Sequence, residues 1–251
     1  MNGEHMSPES VVRFICRFCS DDVVRPSLHS PWISKGKCYA TDGRIAIRLE
    51  LGLAPLSVER KHQADAPLHC SERIDEWISG GIDDAKAHKR ELLPIDFSLL
   101  RCAATCALDD AFAAAKAEGA PETVIDPDES TLEECVALYS CVILPGKSRL
   151  VVSAKYANLI CDTVDAFGDC HAFAYLRTGK DKMWKDKYSR ILFVGGMYNI
   201  LLMALRTDVA GWPFQAESVA DAATGKLVHS YGDESPADFD ALRFGEKGGV
   251  K

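Results

Sequence analysis

Residues Lys37–Glu50, KCYATDGRIAIRLE, decide the fold. Asp42-Gly43 lies between two runs that alternate in polarity, and Asp-Gly supplies the positive φ values that a tight two-residue hairpin turn requires. Beyond the turn, Ile45, Ile47 and Leu49 fall on one face of an extended chain. Arg44, Ala46 and Arg48 fall on the other. That pattern predicts a strand burying one side of a sheet.

Working outward, helical and extended signals alternate along the 251 residues, which suffice for one large domain or two small ones. Ser7-Pro8-Glu9 predicts a helix start, with Ser7 as cap and Pro8 in the first turn. The helix is expected to run to about Ser20 with Val11, Val12, Ile15, Phe18 and Cys19 inward, leaving Ser10, Arg13 and Arg17 on the opposite face. Pro26–Ser34 is a strand candidate. A short helix over Ser71–Ile78 is stopped by Gly80-Gly81. Asp96 to Gly119 is the longest helical signal, capped by Asp96, with Leu100, Ala104, Leu108, Ala111, Phe112 and Ala115 as its buried stripe. Strands follow at Val136–Leu144 and Arg149–Val152. Ser153 caps an amphipathic helix carrying Tyr156, Leu159, Ile160, Val164 and Phe167, closed by Gly168. The remaining strand candidates are Cys170–Arg177, Arg190–Val194, Tyr198–Leu205 and a short one over Lys226–Ser230. This is an α+β chain with no short repeat. Residues 207–251 read as a C-terminal extension, polar, Gly-rich toward the end and partly disordered.

Hydrophobic residues make up 47% of the sequence, enough for a core. A net charge of −8 argues against attachment to nucleic acid by overall charge and leaves a local basic face as the route to such binding. The sequence has no apolar run of membrane-spanning length, and MNGEHMSPESVV lacks the basic start and apolar core of a signal peptide. The expectation is a cytoplasmic protein whose ten cysteines are free thiols. Cys16, Cys19, Cys102, Cys106 and Cys161 sit in apolar runs, as small buried hydrophobes do.

Two blocks resemble a known family. The first is a helix, a strand and YATDGRIAIRLELGL. The second is RLVVSAKYANLICDTVDAFGD, a strand, a basic loop and RILFVGGMYNILLMALR. Both are similar to the bacterial DNA polymerase sliding clamp, the beta subunit, over about residues 8–54 and 132–206. Ala40-Thr41-Asp42-Gly43 carries the resemblance most specifically. The Met203-containing run Tyr198–Leu205 is similar to the family's last apolar strand. The resemblance implies a DNA-clamp-like α+β fold with helices packed on antiparallel sheets, built from two halves each of a strand, a helix and three strands. The clamp-like domain would span residues 8–206. The stretch 55–130, with a helix of its own, is then a helical insertion or the join between two degenerate clamp-like domains. A family chain usually carries three such domains, so a ring would need several copies of this one, as a homo-oligomer. The implied function, in a bacterial or phage setting, is a non-enzymatic protein of DNA replication. It holds double-stranded DNA or docks a DNA-processing partner. The alternative is a protein–protein interaction module that keeps the clamp fold without DNA binding.

Clamp-type holding requires only diffuse positive charge that neutralises phosphates without reading bases. Arg13 and Arg17 on the first helix, and Arg44 beside the hairpin turn, are the candidate phosphate contacts; a solvated face is the competing reading. Lys180, Lys182, Lys185 and Lys187 surround Trp184 in one loop, a pattern that suits a nucleic-acid backbone with a stacked base. Asp181 and Asp186 dilute that charge, and a plain hairpin loop is the competing reading. On the second amphipathic helix, Asp162 and Asp165 would repel phosphate. Cys16-Arg-Phe-Cys19 has zinc-knuckle spacing but no second pair, and favours core thiols. Pro145-Gly-Lys-Ser148 lacks the glycine that a phosphate-binding loop requires five residues earlier, where Cys141 stands. The seven histidines are scattered. No catalytic residue, metal ligand or cofactor is expected.

Overall fold

The computed structural model describes residues 8–21, 24–50, 69–83, 90–117, 140–146, 150–175, 190–205 and 218–230. In chain order they form α1 (Pro8–Cys16), β1 (Trp32–Ser34), β2 (Lys37–Thr41), β3 (Ile45–Glu50), α2 (Cys70–Asp83), β4 (Arg90–Leu93) and α3 (Phe97–Ala117). Then come β5 (Ser140–Ile143), β6 (Val151–Ser153), α4 (Ala154–Phe167), β7 (Cys170–Tyr175), β8 (Arg190–Gly195), β9 (Tyr198–Met203), β10 (Ser218–Asp221) and β11 (Lys226–His229). The fold is mixed α+β. Two compact units divide the chain: Met1–Leu92, Asp162–Arg177 and Arg190–Met203 form one, and Leu93–Cys161, Thr178–Ser189 and Ala204–Lys251 the other.

The first unit holds a seven-stranded sheet in the order β1-β2-β3-β9-β8-β7-β4. Its centre is an antiparallel pairing of β3 with β9, in the register Ile45↔Leu202, Ile47↔Ile200 and Leu49↔Tyr198. The early hairpin and the late three strands are therefore one sheet. Cross-strand partners share a face, so the alternation of β3 propagates across its neighbours. Ile45, Ile47 and Leu49 lie with Cys38, Ala40, Tyr198, Ile200 and Leu202 on one side. α1 and the last turn of α4 cover that side. Phe14 meets Phe167 edge-on with ring centroids 5.4 Å apart, and Phe167 meets Tyr198 at 6.0 Å.

The opposite side, expected to be the polar face of β3, is also covered. α2 lies over it, and Ile74 and Ile78 pack with Trp32, Tyr39, Ala46, Leu192 and Leu201. Every residue from Ile45 to Leu49 is buried, Arg48 included. Alternation reports two chemically different faces; it does not report whether a helix from elsewhere covers the second.

The hairpin turns also differ from expectation. Asp42 is not among the residues with positive φ, and the turn is centred on Gly43-Arg44, with Gly43 at φ +92° and the Asp42 amide donating to the Ile45 carbonyl at 3.3 Å. A two-residue turn with both φ values positive occurs one hairpin earlier, at Lys35 (+51°) and Gly36 (+75°), between the partners Ser34 and Lys37. α1 ends at Cys16 rather than Ser20. Arg17, Phe18 and Cys19 continue it as tight turns, their amides bonded to the carbonyls of Phe14, Ile15 and Cys16. Cys16 and Cys102, expected inside, are exposed.

In the second unit α3 packs on β5, β10 and β11 of a four-stranded sheet, order β11-β10-β5-β6. Asp96 caps α3 as expected, its Oδ1 accepting from the amides of Ser98 (2.9 Å) and Leu99 (3.1 Å). Ala103, Ala104, Ala107 and Ala111 are buried along the helix, where small side chains permit close approach. Asp110 fixes the helix, accepting from the hydroxyls of Ser218 (2.6 Å) and Ser230 (2.7 Å). Cys141, Ile143, Val151 and Val219 make the core. Residues 218–230 of the C-terminal extension thus supply two strands of this sheet, one of which, β10, was not foreseen. β10 pairs with β5 in parallel, from Ser218↔Ser140 to Asp221↔Ile143, so the sheets are not purely antiparallel as expected.

The β8–β9 turn gives a sharp test of packing. A Cβ on Gly195 would lie 2.5 Å from the Tyr198 ring, while one on Gly196 would meet nothing within 4 Å. Tyr198 cannot yield easily: it is fully buried, and its hydroxyl donates to the Gly168 carbonyl at 2.8 Å. Gly195→Ala should cost about 1–3 kcal/mol through overpacking, and Gly196→Ala about 0.5 kcal/mol or less. Thermal unfolding of the two variants side by side checks this, and equal midpoints would refute the contact.

Candidate functional site

α1 turns Val11, Ile15 and Phe18 inward, which leaves Arg13 and Arg17 exposed. Arg17 is nevertheless engaged. Its Nη2 donates to Asp162 Oδ2 at 2.6 Å, and its guanidinium lies 5.3 Å from the centroid of the Phe14 ring. With side-chain exposures of 49% and 28%, this ion pair is worth about 0–1 kcal/mol. It still sets the local charge: a phosphate approaching Arg17 meets Asp162 beside it. Asp165 is exposed one turn further along α4. Arg13 makes no ion pair among the described residues.

Arg44 is exposed at the hairpin tip, on a turn that its neighbours hold shut. Asp42 Oδ1 accepts from the amides of Arg44 (2.7 Å) and Ile45 (2.9 Å). Thr41 Oγ1 donates to the Ile45 carbonyl at 2.7 Å and accepts from the Gly43 amide at 3.0 Å. Each residue of Thr41-Asp42-Gly43 thus has a local structural task. Arg25, which the sequence did not single out, lies against this turn: a Cβ on Gly43 would sit 2.7 Å from Arg25 Nη1. The structure does not bring the arginines of the helix and of the hairpin into one described constellation. Lys180, Lys182, Trp184, Lys185 and Lys187 lie outside the described residues.

A connected polar group that the sequence does not announce centres on Asp75. On the face under α2, Asp75 receives the Tyr39 hydroxyl at 3.0 Å on Oδ2 and Arg48 Nη1 at 2.9 Å on Oδ1, with Lys37 Nζ 3.6 Å away. Arg48 Nε also faces Glu50 Oε1 at 3.3 Å, off the hydrogen-bonding direction. Burial pushes the Asp75 carboxyl up, but hydrogen bonds from Arg48 and Tyr39 and the charges of Lys37 and Arg48 outweigh it, so the acid sits below its ordinary value. Burial, and then the bond to Asp75, push the Tyr39 phenol up, so it stays a donor. Nothing in β3 alone signals the partner of Arg48. The one available clue is that Asp75 lies between Ile74 and Ile78, on the same side of a short helix.

No family model, curated protein or solved structure matches this chain. The chemistry has to be read from the residues themselves. Burial pushes the thiols of Cys19, Cys38 and Cys141 up to about 12, so they stay protonated and unreactive near neutrality. Among the described residues no three His, Cys, Asp or Glu side chains are placed to hold a metal ion, and no helix is long and apolar enough to cross a membrane.

The network around Asp75 carries a pH prediction. The native pKa is depressed, so the stabilisation is fully present above the ordinary carboxyl value of 3.8 and is lost as pH falls below it, through the lowered native value. Asp75→Asn should cost about 1–3 kcal/mol at pH 7, because Arg48 is buried and loses its charged acceptor. Unfolding midpoints from pH 7 to pH 2 should converge for wild type and variant at the acid end; a constant gap would rule out the linkage.

Proposed function

We propose that this chain is a non-enzymatic, clamp-like module that acts by docking a DNA-processing protein. What supports the clamp-like part is the union of the β2–β3 hairpin with β9, β8 and β7 in one sheet, with α1 and the end of α4 side by side on one face. That is the joining of two separated halves which the family resemblance implies. The docking part rests on one contact, Arg17 on Asp162 at 2.6 Å. It occupies one of the three candidate phosphate contacts and leaves a surface of mixed sign. A protein partner can satisfy both signs, whereas a duplex offers only negative charge.

A second reading, retention of double-stranded DNA, draws on Arg13 and Arg44, which remain exposed, together with the lysine-rich loop. The two readings separate in a titration of labelled duplex at low salt, read by fluorescence anisotropy. Under the docking reading the wild-type chain binds weakly or not at all, and Asp162→Asn raises affinity by releasing Arg17. Tight binding by the wild type that falls with salt, and is lost in a combined Arg13→Glu and Arg44→Glu variant, would overturn it in favour of DNA holding.

A further inference from the structure

α2 covers one face of the seven-stranded sheet. It has 14 residues and includes Gly80-Gly81, and a helix that short and glycine-containing is marginal in water without a surface to lie on. Its apolar anchors are Ile74 and Ile78, 3% and 0% exposed. Its other attachments are directional and polar. Ser71 Oγ accepts from Trp32 Nε1 at 2.8 Å, Asp75 takes Tyr39 and Arg48, and Trp77 lies 4.2 Å beneath the Arg190 guanidinium. The sheet therefore presents Trp32, Tyr39 and Arg48 to the helix, the residue types that dominate binding hot spots between proteins. Trp32 and Tyr39 are stacked, 5.8 Å apart and 12° from parallel, which makes a rigid floor. Arg48 and Lys37, with Glu50 beside both at 3.3 and 3.9 Å, leave that floor one net positive charge, where the helix supplies its carboxylate.

We propose that this face of the seven-stranded sheet is a helix-docking surface, held in cis by α2, on which a partner protein binds through an amphipathic helix bearing an acidic residue flanked by apolar ones, in place of Ile74-Asp75 and Ile78. The occupant is defined by charge and shape: one carboxylate over Arg48 and Tyr39, and two branched apolar side chains one turn apart over Trp32, Leu192 and Leu201. The inference does not depend on the clamp-like reading or on DNA, and it survives the loss of either.

The test uses the full chain and a fluorescein-labelled peptide of residues 69–84. Asp75→Lys in the chain sets a third cation against Arg48 and Lys37 and unseats its own helix. The expected result is that the D75K chain captures the peptide at least about tenfold more tightly than wild type, and that a D75N peptide loses at least about tenfold. No capture by a D75K chain that keeps its β-sheet circular dichroism, or capture indifferent to D75N, overturns the proposal. If the D75K chain fails to fold, hydrogen exchange on the wild type decides. α2 amides that exchange well before those of β3 and β9 support an exchangeable helix, and α2 amides that exchange only with β3 and β9 overturn it.

Discussion

The ladder between β3 and β9 is the constraint on which the first unit depends. It joins a hairpin near one end of the chain to a meander near the other, so it closes a very long loop. That closure cost grows only slowly with loop length. Register is what such a pairing must secure, because a one-residue slip would send every side chain of β3 to the wrong face. Here both faces oppose a slip. Ile45, Ile47 and Leu49 would leave the side on which they are buried with Tyr198, Ile200 and Leu202. Arg48 would be carried to that apolar side, away from Asp75, as an uncompensated buried charge. Such a charge costs more than any single apolar contact in the ladder returns.

Arg48 thus does two things at once. It is the least favourable residue to bury in the strand, and it is the one that locates α2. Replacing a buried ion pair with well-packed apolar side chains is often neutral or stabilising, so the pair is poor evidence of stability for its own sake. Its value is positional. Asp75 can reach Tyr39 and Arg48 together only in one placement of the helix along the sheet. The Ser71–Trp32 bond one turn earlier in α2 agrees with that placement.

Much of the scaffold was legible because the signals were local. The apolar alternation of β3, the Asp96 cap, the helix after Ser153 and the strands at Cys170, Arg190 and Tyr198 each follow from neighbours a few residues away. What was not legible was set by distant partners. Whether Arg48 faced water depended on a helix beginning more than twenty residues later in the chain. β10 is four residues long and gains its place by pairing in parallel with β5, which no property of Ser218–Asp221 announces. The tight Lys35-Gly36 turn carries the weaker sequence signal, because lysine is an unusual occupant of positive φ, while Asp42-Gly43 carries the stronger one and uses its aspartate differently, as an acceptor that closes the turn. The candidate arginines are at the surface, as expected, but the sequence shows Asp162, which decides what Arg17 can do, only as a residue that repels phosphate and not as the partner of Arg17.

That pairing bears on what kind of molecule the first unit can hold. A duplex attracts by counterion release, which requires cations free to exchange their small ions for phosphate. Arg17 has already exchanged its own for a carboxylate, and Asp165 is exposed one turn further along α4. A phosphate that displaced Asp162 would gain one contact and leave a carboxylate facing the same backbone, so the net return is near zero at this position. Under the docking reading a protein surface avoids this conflict, since it can offer groups of both signs without disturbing the existing bridge. On the other side of the same sheet Arg48 and Lys37 are already matched by Asp75 of α2 and by Glu50 of β3. Each face of the sheet is thus bordered by an ion pair that the chain makes with itself.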